Sequence, residues 1–175
     1  MGLTALFLGL VILFSESGDS ARLAPVYPTP ETIVERMLEL GHLRPGEKMC
    51  DLGSGDGRIV IMAARQFHAN ATGIEIDDRL YHRSNLLIRQ LGLAKTARVI
   101  HGDLQKQHYS AYDLITVYLT PDANTLIQPM LERELKKGAR VVSQDYEFSN
   151  WRPTQIETID GDAGGASHTL YLYER

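Results

Sequence analysis

Short apolar runs alternate with amphipathic stretches along most of the chain. Met49-Cys50-Asp51-Leu52, Ala71–Ile76, Ala97–Ile100, Tyr112–Leu119 and Ala139–Gln144 are each of strand length and rich in β-branched or aliphatic residues. Between them the apolar positions recur at helical spacing. Ile33, Val34, Met37 and Leu38 form one such face, residues 58–67 a second and Leu80, Leu87, Ile88 and Leu91 a third, while Leu126, Ile127, Met130, Leu131 and Leu135 form a fourth. Thr29 is placed as the N-cap of the first helix, with Pro30 at its first position and Gly41 as its stop. Asp77 or Asp78 caps the third helix, and Pro129 predicts a kink or two short pieces in the fourth. Residues 154–159 and 168–173 alternate in strand fashion around a glycine-rich turn, which predicts a closing antiparallel hairpin. Strands alternating with helices predict an α/β fold with a mostly parallel sheet.

The first strand runs into Asp51-Leu52-Gly53-Ser54-Gly55-Asp56-Gly57, and an apolar helix follows at once. Strand, glycine turn and helix make a nucleotide-binding βα unit, in which the backbone turns with positive φ and no Cβ obstructs a ligand. A dinucleotide fingerprint needs its third glycine where this chain has Arg58; here the glycine falls one residue earlier, at Gly57. Asp51 ahead of the turn would repel a pyrophosphate but can pair with a cation. S-adenosylmethionine carries such a cation in its amino group and has no phosphates, so the spacing favours it over NAD.

Two more acids stand at the ends of the next strands. Glu75 closes the second, where a carboxylate can accept both ribose hydroxyls. Asp103, in His101-Gly102-Asp103-Leu104, follows the third and can meet the exocyclic amine of adenine.

Residues 3–14 are uncharged and apolar, short of the roughly 20 residues that span a bilayer as a helix. A membrane anchor, a signal peptide and a docked helix all fit this pattern. Membrane association with a cytoplasmic catalytic domain is the favoured expectation, export through a signal peptide the alternative. Residues 1–20 thus form a hydrophobic segment and linker, and 21–175 a single domain, as 43% hydrophobic residues in 175 allow one ordinary core. A net charge of −4 without a Lys/Arg run argues against a nucleic acid held by its phosphates. The lone Cys50 fits core packing, and the six histidines lack ligand-like spacing, which argues against a metal site.

The five alternating strands and closing hairpin match the Rossmann-like, seven-stranded architecture of class I methyltransferases, with helices on both faces. More specifically, the chain resembles a family whose mitochondrial members are protein-lysine N-methyltransferases of the ATP synthase c subunit and the adenine nucleotide translocase. Tyr27-Pro28-Thr29-Pro30, residues 51–60, Gly73-Ile74-Glu75-Ile76-Asp77, Tyr118-Leu119-Thr120-Pro121, residues 134–143 and Trp151-Arg152-Pro153 carry the resemblance. The family usually has Ser-His after the fifth strand, where this chain has Ser143-Gln144.

The resemblance implies S-adenosylmethionine as cofactor, surrounded by Tyr27, Thr29, Asp51, Gly53, Ser54, Gly55, Gly57, Glu75, Ile76, Gly102, Asp103, Leu104 and Tyr118. It implies a lysine acceptor in a membrane-associated protein; a small-molecule or lipid-like acceptor and a non-catalytic cofactor-binding module stay open. Tyr118 and Asp145 are the catalytic candidates. Tyr118 would orient the acceptor amine, and Asp145 or a water chain would take its proton.

Overall fold

The computed structural model describes residues 28–161 and 165–175. The seven strands are β1 (Lys48–Leu52), β2 (Asn70–Glu75), β3 (Ala97–His101), β4 (Leu114–Val117), β5 (Arg140–Gln144), β6 (Gln155–Ile159) and β7 (His168–Glu174). They form one sheet in the order β3-β2-β1-β4-β5-β7-β6. The first five pair in parallel, and β7 pairs antiparallel with both β5 and β6. The expected mostly parallel sheet with a closing hairpin is therefore present. Strand order reverses beside β1, whose neighbours are β2 and β4. Crevices outside the carboxyl ends of the strands at such a reversal are where open α/β sheets bind ligands.

Four helices cover the sheet: α1 (Glu31–Leu40), α2 (Arg58–Arg65), α3 (Asp78–Gln90) and α4 (Pro121–Glu134). Period-two alternation divides the strand side chains between two apolar layers. Met49, Leu114 and Val142 meet Ile33, Met37, Val60 and Ile88 on one face, while Cys50, Ile115, Val117 and Val141 meet Ile127, Leu131 and Tyr173 on the other. Cys50 is thus buried core, as expected. Each aliphatic side chain fully buried this way contributes about 1.5–3 kcal/mol.

Three local expectations are corrected. Helix α1 begins one residue later, with Pro30 as its N-cap and no side-chain cap, because the Thr29 hydroxyl is used elsewhere. In α3 the inward face is Tyr81, Ser84 and Ile88, whereas Leu87 and Leu91 are exposed; small Ser84 is what the close approach of the glycine turn requires. Helix α4 runs through Pro129 as one helix rather than two short pieces, capped by Thr120, and Leu126 on it is exposed. Asp77, of the two candidates, caps α3 by accepting from the backbone N–H groups of Arg79 and Leu80. Among the described residues no helix is long and apolar enough to cross a membrane, and residues 3–14 lie outside them.

Candidate active site

The site begins where β1 ends. Asp51 is paired in register with Gly73 of β2 on one side and Thr116 of β4 on the other. Its carboxylate is buried at 3% exposure and accepts a hydrogen bond from the Thr116 hydroxyl at 2.7 Å. Burial pushes its pKa up to about 7; the Thr116 hydroxyl opposes this, and the negative charges of Glu75 and Asp56 add to it. A buried acid at a sheet edge with one hydroxyl partner is poorly compensated.

The glycine turn closes around that acid. Gly53, Gly55 and Gly57 all have positive φ, at 77°, 54° and 81°. The N–H groups of Gly53 and Ser54 both donate to the Ile74 carbonyl, at 3.0 and 2.9 Å, which locks the turn onto β2. A side chain at Gly55 would meet nothing within 4 Å, so the tip of the turn is open to a ligand. Ser54 Oγ is buried and has no hydrogen-bond partner among the described residues.

Glu75 sits at the tip of β2, one strand over. Its Oε2 accepts from the Gly55 N–H at 2.7 Å and its Oε1 from the Asp77 N–H at 2.8 Å. Each oxygen keeps lone-pair capacity for a further donor, which suits a pair of ribose hydroxyls. Ile76 accepts from the His101 ring at its carbonyl, and the Gly102 N–H donates to the Glu75 carbonyl at 3.0 Å. Asp103 caps a short 3-10 turn (Leu104–Lys106), accepting from the Gln105 N–H at 2.9 Å, and buried Leu104 is fastened by the Tyr109 hydroxyl. These tips of β1, β2 and β3 lie side by side, so the structure brings the three acids to one edge of the sheet.

On the other side of β1, Tyr118 follows β4 and is half-buried. Asp145, immediately after β5, has a left-handed φ of 60°. Its carboxylate is held by the Thr169 N–H at 3.0 Å, the His168 ring Nδ1 at 3.0 Å and the Gln144 amide at 3.3 Å. Thr29, ahead of α1, touches both halves of the edge: its carbonyl accepts from Arg58 at 2.7 Å and its hydroxyl donates to Gln144 at 2.9 Å. Tyr27 lies outside the described residues.

Sequence reasoning did not find Thr116, Arg58, Gln144 or His168 as members of this network. Thr116 had a signal, since it is the polar residue in the apolar strand Leu-Ile-Thr-Val. His168 had none, because it arrives from β7, distant in sequence.

The ANTKMT methyltransferase domain matches residues 51–155, which run from Asp51 past Asp145 on this edge. The chain belongs to this methyltransferase family. A protein-lysine N-methyltransferase of Saccharolobus islandicus is 37% identical over 85% of this chain and 92% of its own length. The human lysine N-methyltransferase of the ATP synthase c subunit is 31% identical over 86% of this chain and 61% of its own length. Among solved structures, the RNA methyltransferase of Salinibacter ruber in complex with S-adenosyl-L-homocysteine superposes with a TM-score of 0.77 at 38% identity, covering 85% of this chain and 93% of that one. The fold is that of class I methyltransferases, and the chain is an S-adenosylmethionine-dependent methyltransferase. The residues present fit that cofactor: an under-compensated buried acid for its ammonium, a carboxylate with spare lone pairs for its ribose, and a turn without side chains at its tip.

Proposed function

We propose that this methyltransferase acts on lysine side chains of a protein substrate, one associated with a membrane. The observation that carries the reading is the 37% identity to a protein-lysine N-methyltransferase across 150 residues, a span that contains the whole acid-lined edge. The human relative, named for the c subunit of ATP synthase, favours a membrane-associated acceptor.

The cofactor supplies an already activated methyl group, so alignment and exclusion of water are the chain's contribution. Asp51 pairs with the cofactor's ammonium, Glu75 takes its ribose hydroxyls, and Asp103 faces its adenine beside Gly102 and Leu104. Gly53, Ser54, Gly55 and Gly57 form the floor, and Thr29, Ile76 and Tyr118 the walls, with Tyr27 a further candidate for contact with the cofactor. Tyr118 then orients the incoming amine beside the methyl group. A lysine must first lose a proton, its free pKa being about 10.4. Desolvation in an apolar channel lowers that value. Asp145 takes the proton, directly or through water; its three donors fill most of the roughly four lone-pair sites of a carboxylate and fix its orientation. Residues 3–14 attach the protein to the membrane beside its substrate.

One observation favours a second reading: the 38%-identical neighbour is named an RNA methyltransferase. The net charge of −4 weighs against it here. Membranes and cytosol from cells lacking the protein, incubated with the purified chain and radiolabelled cofactor, separate the possibilities. Label in a protein band that yields methyl-lysine on hydrolysis is the expected result. Label in RNA or in an organic extract, or binding without transfer, would overturn the lysine assignment.

A further inference from the structure

The segment before α1 is fastened at both ends of a short bridge. Arg58, the first residue of α2, donates from Nη1 to the Thr29 carbonyl at 2.7 Å, and is itself paired with Asp56 of the glycine turn at 2.6 Å. On the other side, the Thr29 hydroxyl donates to Gln144 Oε1 at 2.9 Å, in a contact between residues 115 apart in sequence. Thr29 is 4% exposed and Gln144 fully buried. β4 lies between β1 and β5, so their tips are about 10 Å apart, and Thr29 bridges that gap.

Residue 144 must accept on one side and donate on the other, and its amide does both. Its oxygen accepts from Thr29, while its nitrogen donates to Asp145 Oδ2 at 3.3 Å and lies 3.2 Å from His168 Nδ1. Because His168 Nδ1 stands 3.0 Å from the same carboxylate oxygen, the proton of that contact belongs on Nδ1. The Gln144 nitrogen is then a donor to Asp145 rather than to the ring. A glutamate here would face Asp145 with a second negative charge, and a leucine would leave the buried Thr29 hydroxyl without its acceptor.

We propose that Gln144 is a positioning residue for cofactor binding: through Thr29 it holds the Pro28-Thr29-Pro30 segment between the glycine turn and the β5 tip, and so couples the cofactor half of the edge to the Asp145 side. The inference rests on the methyltransferase reading of the site and not on the identity of the acceptor.

A double-mutant cycle on the full chain tests it, with the Kd for S-adenosylhomocysteine read by calorimetry and folding checked by urea titration. Thr29→Val and Gln144→Leu are each expected to raise Kd about tenfold, the loss of one buried hydrogen bond. The double variant should be no weaker than the worse single, because both remove one contact. Thr29→Ser, which keeps the hydroxyl, should bind within about twofold of the parent. If Thr29→Val is folded and keeps the parental Kd, or if the two effects add in full, the coupling is wrong, even where Gln144→Leu fails to fold. If the parent chain binds no S-adenosylhomocysteine, the methyltransferase reading falls, and this inference with it.

Discussion

Asp51 is the residue whose energetics set the behaviour of the site. Its carboxyl titrates at about 7 in the folded chain, against an ordinary value of 3.8, chiefly because it is buried. An acid whose folded pKa is raised holds its proton longer in the native state than in the unfolded one. Stability is therefore lost, not gained, as pH rises from about 4 to 7, at up to about 1.4 kcal/mol per pH unit. The same feature makes the residue a receptor for a cation, since an ammonium placed beside it offsets the desolvation cost. Binding S-adenosylhomocysteine at pH 6 should then release nearly one proton per site, and much less at pH 8. Calorimetry in buffers of different ionisation enthalpy measures this directly; an enthalpy independent of buffer at pH 6 would contradict the pairing. Asp51→Asn should raise the urea midpoint of the free protein at pH 8 while weakening the ligand, the usual opposition of stability and function at a binding site.

At the scale of elements, the close fit of β2 against the glycine turn matters most. A Cβ built on Gly73 would stand 2.5 Å from the Ser54 side chain and 2.9 Å from Val60. Gly73→Ala should cost about 1–3 kcal/mol by overpacking and should weaken S-adenosylhomocysteine, because Ser54 cannot move without shifting the turn that Gly55 shares with Glu75. Unchanged urea midpoint and unchanged affinity would show that the fit is looser than these distances. Much of this element level is legible in the chain: the five parallel strands, the hairpin and the three acids at strand tips all follow from periodicity and glycine placement. What periodicity cannot supply is which residues of a face touch the sheet. Leu87 and Leu91 extend the apolar pattern of α3, yet the approach of the turn selects Ser84 and Ile88. Thr29 has the chemistry of a helix cap, but the buried amide of Gln144 competes for its hydroxyl. The Asp145–His168 contact joins the residue after β5 to the first residue of β7, and no local pattern announces it.

Across the whole molecule, the two edges of the sheet divide the work. The carboxyl edge gathers buried or half-buried acids around an open turn, whereas the amino edge is tied down by Arg140, with Lys136 paired to Asp113 beside it. Arg140, at the start of β5 and 8% exposed, donates to the His42 carbonyl at 2.7 Å after α1 and to the Glu47 carboxylate at 2.8 Å ahead of β1. It also reaches the Asp113 carbonyl ahead of β4 at 3.4 Å. One guanidinium thus joins four segments that the chain order separates, at the end of the strands away from the site. Strands of five residues put roughly 15 Å between the two edges, so the tie should affect folding without touching the ligand. Arg140→Met keeps much of the aliphatic packing but takes the side-chain donor from the His42 carbonyl and the charged partner from Glu47, while the Asp113 carbonyl and Glu47 keep the backbone N–H groups of residues 140 and 44. The expected loss is about 1–2 kcal/mol, seen as a lower urea midpoint with an unchanged slope. The Kd for S-adenosylhomocysteine, measured well below the unfolding transition, should stay within about twofold, since sites this far apart without shared partners act independently. A large loss of affinity in a variant of undiminished stability would mean that the two edges communicate through the strands, and the division of work between them would have to be abandoned.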